Sequence, residues 1–232
     1  MIYHIFAVLW KQLKDTLKNK AILIQFVMFP GLTIVMEKAV EIPGMQEHFF
    51  ANLFAVMYVG MAPLTAMSAI IAEEKEKNTL RVLQMCNVNA FEYLVGNAIY
   101  ILAICMLGSS VIGLAGGYRG KELLVFMLIM LVGHIISTLA GGAIGVWSSN
   151  QMTATSMTVP LMLVFSFLPM LAFFNENIAK VAKFFYSEQL YSMVNSLSAF
   201  EVRTETVLIL CANLLVIAIC FVLAYQKAFE KR

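Results

Sequence analysis

The sequence predicts an all-α membrane protein with six transmembrane helices, and two observations support this prediction. Of its 232 residues, 61% are hydrophobic and only 13% are charged, whereas soluble domains average roughly 45–50% and 25%. Uncharged runs long enough to cross a bilayer also recur along the chain. These runs are Phe49–Ala72, Tyr93–Tyr118, Leu123–Asn175 and Thr206–Gln226.

Residues 1–20 are predicted to form an amphipathic helix that lies in the membrane interface. Apolar side chains recur at helical spacing, and Lys11, Lys14 and Lys18 fall on the opposite face. This pattern is typical of interfacial helices. A soluble helix packed on another domain is the alternative, but the sequence offers no such domain. The apolar residues are Ile2, Ile5, Phe6, Leu9, Trp10, Leu13 and Leu17.

A single membrane domain is predicted over residues 1–232. The first span is short and contains Pro30-Gly31, which membrane helices tolerate. The run Leu123–Asn175 must turn once, because a helix rises ~1.5 Å per residue and the hydrocarbon core is ~30 Å thick. The polar cluster Ser148–Ser156 marks that turn. The spans are predicted at 21–36, 49–72, 93–115, 123–147, 157–174 and 206–225.

The distribution of basic residues predicts a multi-pass protein of the cell membrane with both termini in the cytoplasm. With that orientation, ten Lys and Arg residues lie inside: four in residues 1–20, three after the second span and three at the C-terminus. This moderate excess agrees with the positive-inside rule. The outer six are Lys38, Arg119, Lys121, Lys180, Lys183 and Arg203.

The segment 175–203, between spans five and six, is predicted to form an outer amphipathic helix that lies on or dips into the membrane surface. Its apolar side chains would share one face, opposite Glu176, Lys180 and Lys183. An ordinary exposed loop is the alternative. The apolar residues are Ile178, Val181, Ala182 and Phe185.

The fourth span contains two notable features. Its small residues, including Gly133, Gly141 and Gly145, predict close helix packing. His134 is an ionisable residue inside the membrane, where such groups are often functional. It is either a proton-relay group or a neutral histidine bonded to a neighbouring helix, and we favour the second interpretation.

The stretch IAEEKEKNTLRVLQMCN, residues 71–87, is the most charged part of this apolar chain. Six of the nine residues from Glu73 to Arg81 carry charge, directly after the second span. Residues 73–90 are predicted to form a short cytoplasmic helix with Leu80 and Leu83 on one side. The alternative is a solvated loop whose charges only fix the topology.

The segment EEKEKNTLRVLQMCNVNAFEYLVGN resembles the signature of type-2 ABC transporter permeases, in which the pattern E-x-E-x-G-T-L-x-x-L follows the second span. Three positions depart from it: Asn78 replaces the usual Gly, Asn87 the usual Pro, and Asn97 the usual Lys after a glycine. These departures indicate a divergent branch. The six-span layout resembles the family over the whole chain. The matching residues are Glu74, Glu76, Thr79, Leu80 and Leu83.

The resemblance implies a coupling helix that docks into a groove of a separate P-loop ATPase subunit. That partner would bind ATP and Mg, so no cofactor, metal site or catalytic residue is expected in this chain. Two permeases, identical or related, would join two ATPases within the lipid bilayer, and no nucleic acid is expected. Charges would register the interface and leucines would anchor it. The implied coupling residues are Glu73, Glu74, Glu76, Thr79, Leu80, Arg81 and Leu83.

The resemblance also implies that spans two and five line a pathway between the two permeases. This pathway lacks paired carboxylates, so the expected cargo is an exported amphiphile: a drug, an antimicrobial peptide or a lipid. Sodium efflux is the alternative within the family, and a non-transporting immunity or assembly factor is the alternative outside it. The implied path residues are Asn52, Tyr58, Met61 and Thr65 on span two, and Thr158, Met162 and Phe165 on span five.

Motifs for enzyme chemistry are weak in this sequence. The nearest approach to a P-loop, AGGYRGKE at 115–122, lacks the first glycine and ends in Glu122, so a tight loop is predicted. No HExxH or GxSxG motif occurs. Four cysteines without CxxC spacing are read as free thiols. They are Cys86, Cys105, Cys211 and Cys220.

Overall fold

The computed structural model describes residues 2–40, 48–197 and 203–229, and these residues form a helical bundle. Within these described residues, six helices are long and apolar enough to cross a membrane, namely α2, α3, α5, α6, α7 and α10. The predicted fold class is therefore confirmed. The helices are α1 (Ile2–Lys18), α2 (Lys20–Ala39), α3 (Phe49–Glu76), α4 (Thr79–Met85), α5 (Ala90–Ala115), α6 (Gly120–Trp147), α7 (Gln151–Phe174), α8 (Glu176–Ala182), α9 (Tyr186–Asn195) and α10 (Thr204–Phe229).

The α7 helix begins earlier than the hydropathy predicts, because hydroxyl groups in its polar first turns form hydrogen bonds within the helix. Asn150 caps the helix, and its side chain accepts a hydrogen bond of 2.8 Å from the Thr153 amide. The hydroxyls of Thr155 and Ser156 bond to carbonyls four residues earlier at 2.9 Å. The predicted polar turn therefore shrinks to residues 148–150.

The centre of the bundle is α3, which is buried along most of its length and packs against α2, α5, α6 and α7. Two glycines allow the closest approaches. A Cβ atom on Gly141 of α6 would lie 2.3 Å from the Leu64 carbonyl oxygen, and one on Gly60 would lie 2.7 Å from the Phe165 carbonyl carbon. The close packing predicted for the fourth span is therefore packing against α3.

The N-terminal helix α1 turns an apolar stripe outward. Phe6, Trp10 and Leu17 are exposed, whereas Val8 and Gln12 are buried towards the bundle. This helix packs mainly on α5. An exposed apolar stripe is what an interfacial helix presents to lipid, so the stripe supports the interfacial prediction, which stays a prediction.

The segment after α7 forms two short helices and not the single amphipathic helix expected from the sequence. The chain breaks between Ala182 and Tyr186, and Val181 is exposed. Of the two helices, α9 is the better packed, with Tyr186 and Leu190 fully buried against α3, α6 and α7. Residues 198–202 of the predicted insert lie outside the described residues.

Candidate functional site

The charged stretch forms a corner between α3 and α4 and not one continuous helix over 73–90. The spanning helix α3 runs on through Glu76, and a two-residue turn then leads into α4. Asn78 in that turn has a φ of 55°, the left-handed conformation that asparagine tolerates better than most residues. The carboxylates therefore belong to the end of the membrane helix, and α4 itself carries few charges.

A second left-handed asparagine, Asn87, ends the corner with a φ of 59°. The family pattern has Gly at position 78 and Pro at position 87. Asn78 adopts a left-handed conformation that glycine also adopts readily. Proline, however, is locked near a φ of about −65° and could not adopt the conformation of Asn87. The chain thus leaves α4 through a turn that differs from the family's proline turn. Asn89 and Glu92 then start α5 with a reciprocal capping box.

Glu74 is buried and ties α3 to the N-terminal helix. Its carboxylate pairs with the Lys11 ammonium, and the Gln12 side-chain amide donates to the same oxygen at 2.7 Å. Only 6% of the residue is exposed. A carboxylate this enclosed cannot also face a partner protein, so the expected docking role of Glu74 becomes an internal structural one.

Lys75 and Glu76 bind the ends of two other membrane helices. The Lys75 ammonium donates to the carbonyl oxygens of Val146 and Ser148 at 2.5 and 2.6 Å, where α6 ends. The Glu76 carboxylate accepts a hydrogen bond of 2.9 Å from the backbone N–H of Gln151, where α7 begins. A cation thus lies at the C-terminus of α6 and an anion at the N-terminus of α7, and each has the sign of charge that stabilises that helix end. The end of α3 is therefore joined to α1, α6 and α7.

Glu73 and Lys77 form a pair on the surface of the corner, with 2.5 Å between the ammonium nitrogen and the carboxylate oxygen. The hydrogen bond to Glu73 raises the pKa of Lys77 above its usual value. Exposed pairs of this kind add little to stability. Among the described side chains of the charged run, this pair and the exposed Glu76 stay accessible.

The short helix α4 shows one face to its own subunit and another to solvent. Leu80 and Leu83, expected to anchor a partner, are half-buried and pack against the subunit core. Val82 is 57% exposed and Met85 is 81% exposed. Thr79 is half-buried beside the turn, and the side chain of Arg81 lies outside the described part. The outward apolar surface is thus Val82 and Met85, which sequence reasoning missed although their i, i+3 spacing marks one helix face.

The expected path residues divide into buried and half-buried groups. Asn52 accepts from the Tyr118 hydroxyl at 2.6 Å and donates to the Asn195 side chain at 2.8 Å. Thr158 donates to Ser68 at 2.8 Å, which joins α7 to α3. Both are inside the subunit, as are Tyr58 and Phe165.

Tyr58 is turned away from α7. Its hydroxyl points at Gly108 of α5, and its ring meets His134 of α6 at 5.7 Å between centroids. His134 in turn shares a 2.8 Å hydrogen bond with Ser109 of α5, so it is bonded to a neighbouring helix, as the favoured interpretation holds. Tyr58 and His134 therefore pack the interior of one subunit.

The half-buried path residues are Met61 and Thr65 of α3 and Met162 of α7. The Thr65 hydroxyl donates to the Gln25 side chain of α2 at 2.8 Å. Gln25 was not among the expected residues. Its signal in the sequence is an amide in the middle of an apolar span, where polar groups are costly.

The family assignment follows from a comparison with known families. Residues 7–225 match the family described as ABC-2 family transporter protein. Because the match covers nearly the whole chain, the protein belongs to the ABC-2 transporter family. It is a multi-pass membrane permease component of an ABC transporter, and the family implies an ATPase partner. A comparison with curated proteins gave no match.

Proposed function

We propose that this chain is the permease subunit of an exporter, which carries an amphiphilic drug, peptide or lipid out of the cell with energy from a separate ATPase. The observation that carries the proposal is the α3–α4 corner. A short helix with an exposed apolar face is fixed there to the end of the most buried membrane helix.

The docking surface is Val82 and Met85, one turn apart on α4. Both side chains extend from the subunit, and the neighbouring Cys86 and Asn87 are also exposed. A short apolar helix face laid in a groove is a common mode of protein recognition, and methionine adapts well to such a groove. Leu80 and Leu83 hold the other face of α4 to the permease, so the helix connects the two proteins.

Movement of the docked α4 would reach the membrane directly. Only the Lys77–Asn78 turn separates α4 from α3, and α3 is continuous from that turn to Phe49. The contacts of Glu74, Lys75 and Glu76 extend the same movement to three further helices. ATP-driven closure of two ATPases would thus shift the inner ends of several spans together.

The half-buried path residues and their neighbour Gln25 support an amphiphilic cargo. They are uncharged: the thioethers of Met61 and Met162, the Thr65 hydroxyl and the Gln25 side-chain amide. Flexible thioethers suit apolar bodies of variable shape, and the Thr65–Gln25 pair offers a few polar contacts. A second permease subunit facing these residues would complete the pathway. This chemistry favours an amphiphile over a small cation such as sodium.

The experiment is to replace Met85 with Asp and to measure co-purification of the ATPase subunit and its hydrolysis of ATP. Interface hot spots are worth about 2 kcal/mol or more, and each ~1.4 kcal/mol is tenfold in affinity. Binding should therefore weaken at least tenfold. Met152→Asp is the matched control, because Met152 is equally exposed at 81% and lies at the same end of the bundle.

Two results would count against the proposal. Normal ATPase binding by Met85→Asp permease would remove α4 as the docking site. Failure of the wild-type chain to bring down any P-loop ATPase would favour a stand-alone immunity or assembly factor. Both variants are compared at equal amounts of folded permease.

A further inference from the structure

A polar cleft opens at the end of the bundle that carries α4, between α1 and the α3–α4 corner. Its volume is about 750 Å³, far more than the ~30 Å³ that one water molecule occupies in the liquid. Charged side chains such as Lys18 and Glu73 line its mouth, so solvent enters it. Its inner wall includes Gln12, Thr16 and Glu74, which are all buried. The cleft therefore brings solvent to polar side chains inside the bundle.

Behind this wall, α5 presents three polar side chains on one face. Tyr93, Asn97 and Tyr100 are spaced four and three residues apart, which places them along the same side of the helix. All three are buried, and Asn97 is fully so. Tyr93 lies beside Glu74 of α3, and Tyr100 lies beside Thr16 of α1. Glu74 and Thr16 thus stand between the cleft and the two tyrosines.

Five polar atoms of this cluster have no hydrogen-bond partner among the residues that the structure describes. They are the Tyr93 and Tyr100 hydroxyls, both polar side-chain atoms of Asn97, and Oε2 of Glu74. Tyr93 lies next to both Glu74 and Asn97, yet none of these atoms meets another with the geometry of a hydrogen bond. Unpaired buried polar groups are costly. Five of them in one place point to a shared partner that is not a side chain.

The chemistry of these atoms fits water. The Asn97 amide donates and its carbonyl accepts, the two hydroxyls do either, and the Glu74 oxygen accepts. Buried water typically makes about three bonds of this kind. A sodium ion would use only the oxygens, and the Lys11 ammonium, which pairs with the other oxygen of Glu74, would repel it. A neutral guest that both donates and accepts is therefore favoured over a cation.

We propose that a small group of ordered water molecules occupies this site between α1, α3 and α5, supplied through the cleft and bound by Glu74, Tyr93, Asn97 and Tyr100. At this end α3 then meets α5 through water, whereas at Gly108 of α5 the two helices are in direct contact. The site is separate from the exposed face of α4 and from the half-buried path residues. Its failure would therefore leave the proposed transport function standing.

The test is X-ray radiolysis of the full-length permease in lipid nanodiscs, with the oxidation of each tyrosine measured by mass spectrometry. Hydroxyl radicals form from water and react before they diffuse far, so a buried tyrosine is oxidised only when water lies beside it. Tyr186 is the matched control, because it is fully buried and its hydroxyl shares a 2.8 Å hydrogen bond with Ser137. Tyr93 and Tyr100 should be oxidised at least about tenfold faster than Tyr186, because each would have bound water as a neighbour.

Two substitutions at position 97 separate bound water from incidental exposure. Asn97→Leu keeps a side chain of similar size without its polar atoms, and should lower the oxidation of Tyr93 to the level of Tyr186. Asn97→Ser keeps a polar group and leaves more room, so oxidation of Tyr93 should persist.

Equal oxidation of Tyr93 and Tyr186 in the wild-type chain would overturn the proposal, whether or not the variants fold. Oxidation of Tyr93 that Asn97→Leu leaves unchanged would overturn it as well. Lower oxidation of Tyr93 in sodium chloride than in choline chloride would also do so, because a sodium ion would then occupy the site in place of water.

Discussion

The helices α3 and α10 are both long apolar spans, yet they occupy opposite environments. Nearly all of α3 is inside the bundle, whereas α10 is almost wholly on its surface, with Leu208, Leu215 and Ile219 exposed. Of the two helices, α10 has the higher mean hydropathy. The comparison teaches that hydropathy reports whether a helix crosses the membrane and not where it sits in the bundle.

What distinguishes α3 is the polar and small residues along it. Asn52 and Ser68 find partners on other helices, and Gly60 allows α7 to touch its backbone. At its far end the helix is joined by Glu74 to α1. Because α3 is held by neighbours on most sides and leads into α4, it is the element through which a force on α4 would reach the membrane. The α10 helix instead shows most of its apolar side chains to the outside of the bundle.

The largest loss of stability is expected from a substitution where another helix contacts the α3 backbone. Gly141→Ala would place a methyl group 2.3 Å from the Leu64 carbonyl oxygen, so the helices must separate. Overpacking costs about 1–3 kcal/mol, and more where the obstacle is backbone. We expect a lower midpoint of thermal unfolding and a lower yield of folded permease.

Gly31→Ala is the matched control, because a Cβ at Gly31 meets nothing within 4 Å. Alanine is also the better helix former, by up to about 1 kcal/mol. This variant should unfold at the same temperature as the wild type or higher. Equal unfolding temperatures for Gly141→Ala and Gly31→Ala would show that α6 does not approach α3 this closely.

The next effect concerns the junction of α3 with α1. Glu74→Ala would leave the Lys11 ammonium and the Gln12 amide without their shared acceptor, at a cost of about 2–3 kcal/mol. Glu73→Ala removes a carboxylate of the same run that pairs with exposed Lys77, and should leave the unfolding midpoint unchanged. The reverse order of the two midpoints would contradict an internal role for Glu74.

The smallest effect is expected on α10. Leu215 is 62% exposed, and a lipid-facing side chain keeps the same surroundings when its helix separates from the bundle. Leu215→Ala should therefore change the free energy of unfolding by less than about 0.5 kcal/mol. A loss as large as that of Glu74→Ala, measured in the same lipid nanodiscs, would place α10 in a protein interface instead.

Hydropathy was sufficient to predict all six membrane helices, since long apolar runs have few other uses. It misplaced the start of α7, because hydroxyl groups that look like a loop bond to the carbonyls of their own helix. It also ended the second span at residue 72 and assigned Glu73 to Glu76 to the short helix that follows, since a turn of only two residues around Asn78 leaves no mark on an average over many positions.

The position of the candidate site in the chain was predictable, but the contacts of its side chains were not. The motif located the corner, yet the partners of its charges are distant in sequence: Lys11 lies 63 residues before Glu74, and Ser148 lies 73 residues after Lys75. No local pattern reveals that Glu74 faces inward. The same limit applies to Leu83 and Met85, which are both apolar and differ only in what packs over them.

The most direct test of the central claim is photo-crosslinking from α4 in the intact transporter. A benzoyl-phenylalanine at Met85 should form a crosslink to the ATPase subunit, because position 85 points away from the permease. The same group at Leu83 should crosslink mainly within the permease. An ATPase crosslink from position 83 and none from position 85 would contradict the account, and the docking face of α4 would then be the opposite one.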